Sequence, residues 1–151
     1  MLRNTLSESL KDAMRSQDKV AISTLRLVLA ALNDRDIAAR AYGNSIDLGD
    51  LEILSMLETM VKQRRESIKM YETGGRKELA QQERDEIAII KRFMPKQLND
   101  EEIETAVIAA IDEVGADSLK QMGKVMASLR RNYAGQMDFG KAGAIAKQRL
   151  A

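Results

Sequence analysis

Lys120, Lys124 and Arg131 are the side chains whose type and spacing point most directly to chemistry in this sequence. On a helix turning about 100° per residue, Lys124 falls about 40° from Lys120, and Arg131 about 20°. Met122, Val125, Met126 and Leu129 fall between about 140° and 240° on the same wheel. Three cations therefore share the side opposite an apolar stripe. Such a row suits phosphate contact, because each cation that neutralises a phosphate releases a condensed counterion. Arg130 lies off to one side, and Lys141, Lys147 and Arg149 extend the basic character. Residues 115–151 hold seven basic and two acidic side chains, a net +5. Residues 95–114 hold Lys96 against six acids, a net −5. A basic segment is the electrostatic footprint of an RNA-binding surface. Adjacent segments of opposite sign can equally offset each other, and many solvated helix faces are basic.

Gly123 interrupts this helix, where glycine costs about 1 kcal/mol relative to alanine. It falls near the border of the apolar side, so close helix packing is its expected role, with close approach of an RNA backbone as the alternative. Tyr133 in the next loop either stacks on a base or covers the end of a small core. Two phenylalanines, three tyrosines and no tryptophan leave no aromatic platform for a single strand. Recognition of a folded RNA by shape and phosphate fits better than base reading.

Arg64 lies in line with Leu57 and Ile68, on an apolar stripe. A cation there is costly unless paired. Glu83 or Glu86, across the hairpin closed by Gly74 and Gly75, is its expected partner. Glu83, Asp85 and Glu86 form a small acidic cluster; neighbouring carboxylates can act as acid and base or hold magnesium, but they are also common on solvated faces. The chain has no cysteine and no histidine, which excludes disulfides, thiolate nucleophiles, cysteine or histidine zinc sites and imidazole catalysis. It contains no G-x-x-x-x-G-K-S/T phosphate loop, and its serines have no identifiable activating base. No catalytic residue, metal site or cofactor is expected.

The elements that must position these residues are helical. Good helix formers dominate, with one proline in 151 residues. Helix one is expected from about Leu2 to Arg15, with Leu2, Leu6, Leu10 and Met14 on one side. Asp18 caps helix two, whose apolar set runs most of the way round and predicts a central position; Gly43 ends it. Asp47 or Asp50 caps helix three, which stops at Gly74 and Gly75. Helix four holds Leu79, Ile87, Ile90, Phe93 and Met94, and Pro95 sets a boundary. Asn99 with Glu102 approximates a capping box for helix five, which Gly115 ends. Ser118 with Gln121 predicts a box for helix six, and Asp138 caps helix seven. The expected fold is all-α and multihelical: a four-helix N-terminal domain over residues 1–94 and a three-helix C-terminal domain over 95–151. The amino terminus has no uninterrupted apolar region, and no segment approaches the roughly 20 apolar residues that span a bilayer. A cytosolic location without membrane association is expected.

Several motifs together carry a resemblance. They are Lys62-Gln-Arg-Arg-Glu-Ser, Gly74-Gly75-Arg76, Phe93-Met94-Pro95-Lys96-Gln97-Leu98, Met122-Gly123-Lys124-Val125-Met126 and Gly135-Gln-Met-Asp138. The chain resembles the GatB/YqeY family over essentially its whole length. Freestanding YqeY-like proteins have this length, and a related helical module forms the C-terminal tail of the GatB subunit of tRNA-dependent amidotransferases. The resemblance implies contact between this module and tRNA, with Met122 to Met126 matching the family's motif. It also implies an association with carbon–nitrogen ligase chemistry using glutamine as amido donor. That chemistry belongs to other subunits or domains, and its residues are not found here. A tRNA-binding helper without catalysis is the expectation. An adaptor docking on an amidotransferase or another tRNA enzyme stands beside it, and an independent amide-forming enzyme is a third possibility.

Overall fold

The computed structural model describes residues 1–43 and 48–151. Among the described residues there are seven α-helices and no strand. They are α1 (Leu2–Ser16), α2 (Lys19–Ala41), α3 (Asp50–Thr73), α4 (Lys77–Lys91), α5 (Asp100–Val114), α6 (Met122–Tyr133) and α7 (Phe139–Leu150), with a 3-10 turn (Leu119–Gln121) before α6. The chain divides into two compact units, Met1–Met94 and Pro95–Ala151.

In the first unit α1 packs on α2, α2 on α4 and α4 on α3, around Leu6, Leu25, Val28, Leu32, Ile53, Leu57 and Ile90. The expected α1 stripe drifts. Steps of four residues advance about 40° each, so Met14 has rotated out and is exposed, while Ala13, seven residues after Leu6, stays in line and is buried. In α2 only one side is buried, and Val20, Leu27 and Ile37 are exposed. α2 touches all three other helices of its unit, as its expected central position requires, but the outer part of its apolar set stays exposed. Asp18 caps α2 as expected, accepting from the Ala21 amide at 3.2 Å. For α3, Asp47 lies outside the described residues, and Asp50 is already helical with Gly49 as the N-cap. The carboxylate of Asp50 instead accepts from the Leu2 amide at 3.1 Å. Phe93 and Met94 lie beyond the end of α4, yet both pack on the core.

The second unit is a three-helix cluster around Ile103, Val107, Val125, Leu129, Met137 and Ala142. The Asn99 box at the start of α5 is complete: Asn99 Oδ1 accepts from the Glu102 amide at 2.8 Å, and the Asn99 amide donates to Glu102 Oε1 at 3.1 Å. Gly115 ends α5 with φ 66°, a left-handed conformation that glycine adopts at no steric cost. The segment after Pro95 is tied to the loop after α6. The Leu98 amide donates to the Gln136 carbonyl at 2.7 Å, and the Gln97 side chain donates to the Gly135 carbonyl.

Candidate nucleic-acid interface on the C-terminal unit

The position of the basic row depends on how α6 begins. Gln121 Oε1 accepts from the amides of Asp117 at 2.6 Å and Ser118 at 3.3 Å. The anticipated Ser118–Gln121 pair is thus in place, but it secures a 3-10 turn, and the α-helix starts only at Met122. Lys120 lies in that turn rather than on α6. A 3-10 turn has 3.0 residues per turn, so Lys120 swings toward Gly123 relative to an all-α wheel. It remains away from the buried set Val125, Met126, Ser128 and Leu129.

Lys120, Lys124 and Arg131 are exposed, and among the described residues none makes an ion pair or side-chain hydrogen bond. Lys147 on α7 is in the same condition. The other candidates are engaged within the unit. Lys141 Nζ lies 3.4 Å from Asp100 Oδ1, and Arg149 Nη2 lies 2.7 Å from Glu104 Oε1. Both pairs join α7 to α5, so the opposite charges of the two segments partly offset each other. The Arg130 guanidinium stands 5.9 Å from the centroid of the Phe139 ring, within cation–π range. Such exposed pairs are worth about 0–1 kcal/mol each, little enough for a stronger anion to compete.

Gly123 does not pack against another helix. It is exposed, and a Cβ built on it would meet nothing within 4 Å. The glycine that faces a neighbouring helix is instead Gly143 of α7, where a Cβ would lie in ordinary contact, 3.8 Å from the Cε atoms of both Met122 and Met126 of α6. A mid-helix glycine in α7, seven residues before Leu150, was the available signal for it. Tyr133 packs on the core of the unit.

The acidic cluster of the first unit is structural. Arg64 Nε lies 3.0 Å from Glu86 Oε2 and 3.9 Å from Glu83 Oε2, and Nη1 donates to the Met60 carbonyl at 3.3 Å. The Arg64 and Glu86 side chains are only 13% and 11% exposed, so the expected pairing across the α3–α4 hairpin is present. Desolvation, and next the neighbouring Glu86 carboxylate, raise the Glu83 pKa above its ordinary value, while Arg64 acts in the opposite direction. A cleft of about 430 Å³ between α2 and α4 is lined by Lys19, Glu78, Asp85 and Glu86, but Arg64 already occupies the carboxylate of Glu86. Among the described residues no group of three or more acids is placed to hold a metal ion.

A second buried pair went unforeseen. Asp36 on α2 is 6% exposed and accepts two bonds from Arg3, at 2.8 and 3.1 Å, and one from the Leu48 amide at 3.2 Å. The Arg3 hydrogen bonds chiefly, then the Leu48 amide, lower its pKa against the opposing effect of burial. Asp36 lies eleven residues after Leu25 on the buried side of α2, which was the legible signal.

These features define an all-helical, two-unit protein with an unpaired row of cations on its second unit and no helix, among the described residues, long and apolar enough to cross a membrane. The YqeY-like protein family matches residues 3–150, and the chain belongs to that family. It is similar to an uncharacterized protein of Schizosaccharomyces pombe, 25% identical over 95 residues, which cover 63% of this chain and 73% of that protein. It is also similar to altered inheritance of mitochondria protein 41, mitochondrial, of Saccharomyces cerevisiae, 30% identical over 89 residues. That match covers 59% of this chain but only 46% of the yeast protein. The protein of the same name from Clavispora lusitaniae is 26% identical over 136 residues, covering 88% of this chain and 76% of its own length.

Proposed function

We propose that this chain is a non-catalytic tRNA-binding helper allied to glutamine-dependent amidotransferases, acting in the cytosol. Lys120, Lys124 and Arg131 would hold the RNA backbone, with Lys147 beside them and Arg130, Lys141 and Arg149 recruited from their weak intramolecular contacts. The observation that carries this reading is the exposed, unpaired cation row beside a glycine with open space above it. Bare backbone at Gly123 lets a phosphodiester chain approach closely, and the cations then release counterions from it. The likeness of this module to the tail of the GatB subunit supports tRNA as the RNA concerned. Exposed Val20, Leu27 and Ile37 on α2 favour a second reading, an adaptor that docks on amidotransferase subunits or another tRNA enzyme.

The test is reversal of two charges, Lys120→Glu with Lys124→Glu. Neither side chain reaches the core, so folding should persist. Binding should weaken for all tRNAs alike, because phosphate contacts position the RNA without reading its sequence. The slope of log affinity against log salt should flatten by about 2. Equal tRNA affinity of wild type and the folded double variant at low salt would defeat the reading and favour the adaptor.

A further inference from the structure

The motif Lys62-Gln-Arg-Arg-Glu-Ser contributes only Arg64 to the structural pair above; its other cations point elsewhere. On the α3 wheel Lys62, Arg65 and Lys69 occupy an arc of about 60°, centred about 150° from the buried stripe of Ile53, Met60 and Arg64. They span about 10 Å along the helix. All three are exposed, and among the described residues none is in an ion pair or side-chain hydrogen bond. Consecutive arginines thus divide the work: Arg64 locks α3 to α4, and Arg65 faces outward.

The carboxylates on this side are mostly occupied. Glu72 pairs with Arg84 of α4, and Glu58 is engaged as well. Glu66, at the border of the arc, is the remaining acid on α3 near the row. This differs from α1, where Lys11 and Arg15 are neutralised by Glu8 and Asp12 one turn away. Arg76 and Lys77, exposed at the hairpin tip, follow the row. The clefts that Glu78 and Asp12 help to line include none of the three α3 cations, and among the described residues of α3 no exposed aromatic ring accompanies them. A row of charges spaced along a helix suits an extended chain of phosphates.

We propose that Lys62, Arg65 and Lys69 form a second phosphate-contact surface for the RNA backbone, on the first unit and separate from the α6 row. It rests on the RNA reading given above. An RNA that uses both rows would lose more counterions than either row alone releases.

The experiment uses the full chain and a folded tRNA as probe, with affinity followed as salt is raised. Four proteins are compared: wild type, Lys62→Gln/Arg65→Gln/Lys69→Gln, Lys120→Glu/Lys124→Glu, and the combination. The α3 triple variant should bind about ten- to a hundredfold more weakly at low salt, its salt slope should flatten by about 2–3, and the combination should be weaker than either set. Glu66→Gln provides a variant that loss of fold cannot imitate: removing the remaining acid should tighten binding about two- to threefold. If wild type binds and both the α3 triple variant and Glu66→Gln match it, this inference is overturned while the α6 reading stands. If the α3 variant loses binding and the α6 variant does not, the inference holds and the α6 placement fails. If wild type does not bind tRNA, both are overturned. Retained tRNA binding by the α3 variant with lost binding to phosphatidylserine vesicles would replace RNA with a membrane surface at this row.

Discussion

Gly123 and Gly143 show how differently two helical glycines behave. Gly143 faces two methionines, and a Cβ there would sit at ordinary contact distance, 3.8 Å, so a methyl group fits and only a longer side chain would press on them. Gly123 faces open space and has no left-handed φ, so nothing in the fold requires it. Gly123→Ala should therefore raise stability by about 0.5–1 kcal/mol, through loss of unfolded-state freedom and better helix propensity. Urea unfolding monitored by circular dichroism tests this; a loss of stability would mean that Gly123 has a packing role after all. Individual cations divide the same way. Lys141 and Arg149 have carboxylate partners, whereas Lys120, Lys124 and Arg131 have none among the described residues.

The α3–α4 hairpin is held by its apolar seam and by one ion pair placed inside it. Arg64 is satisfied by Glu86 and the Met60 carbonyl, with Glu83 at the edge. Removing the cation leaves a desolvated carboxylate, so Arg64→Ala should cost about 3–5 kcal/mol. Glu83→Gln should be nearly neutral at pH 7. It relieves the desolvation of the carboxylate and, next, the repulsion by Glu86 that raise the Glu83 pKa, and it gives up only a 3.9 Å contact with Arg64. Denaturant midpoints of the two variants should therefore lie far apart. Equal destabilisation would show that Glu83 is as much a partner as Glu86. This hairpin also carries the outward cations on α3, so a firm seam on one side supports a presented surface on the other.

The whole chain contains 24 basic and 23 acidic residues and no histidine or cysteine. Acid sensitivity should come from carboxylates with shifted values. Asp36 has a folded pKa below its unfolded value, so its contribution is present above the ordinary carboxylate range and is lost as pH falls through the lowered value. Glu83 has the opposite sign: its folded form holds the proton more tightly, so its small penalty appears as pH rises through the raised value. Asp36→Asn should cost about 1–2 kcal/mol at pH 7, by weakening the Arg3 bonds, and less at about pH 3, below the ordinary carboxylate range. Unfolding curves of wild type and variant at the two pH values check this. A difference that does not shrink in acid would assign the cost to packing rather than charge.

Much of the fold was legible in the residues because helix signals are local. Asp18, Asn99, Asp138, Gly74 with Gly75, Gly115 and Pro95 act within a turn of where they stand, through amide hydrogens, left-handed backbone or a missing donor. The all-α class and the Arg64 pairing follow from periodicity and from the cost of a lone buried cation. Other features needed several elements at once. Neither Met14 nor the outer side of α2 is buried, because burial depends on which neighbours arrive, and a four-residue repeat drifts around the helix. Asp36 is a solvated acid by composition, and only the approach of Arg3 from α1 and Leu48 from the segment before α3 makes it a buried one. The candidate site divides along the same line. Its cations were visible in the sequence, but their pairing was not, since Lys141 and Arg149 meet Asp100 and Glu104 across more than forty residues. The sequence alone determined where basic groups occur and which stretches are helical, through interactions that reach no farther than a helical turn. Tertiary packing decided which cations are neutralised and which remain available, because electrostatic pairing depends on distance in space rather than separation along the chain.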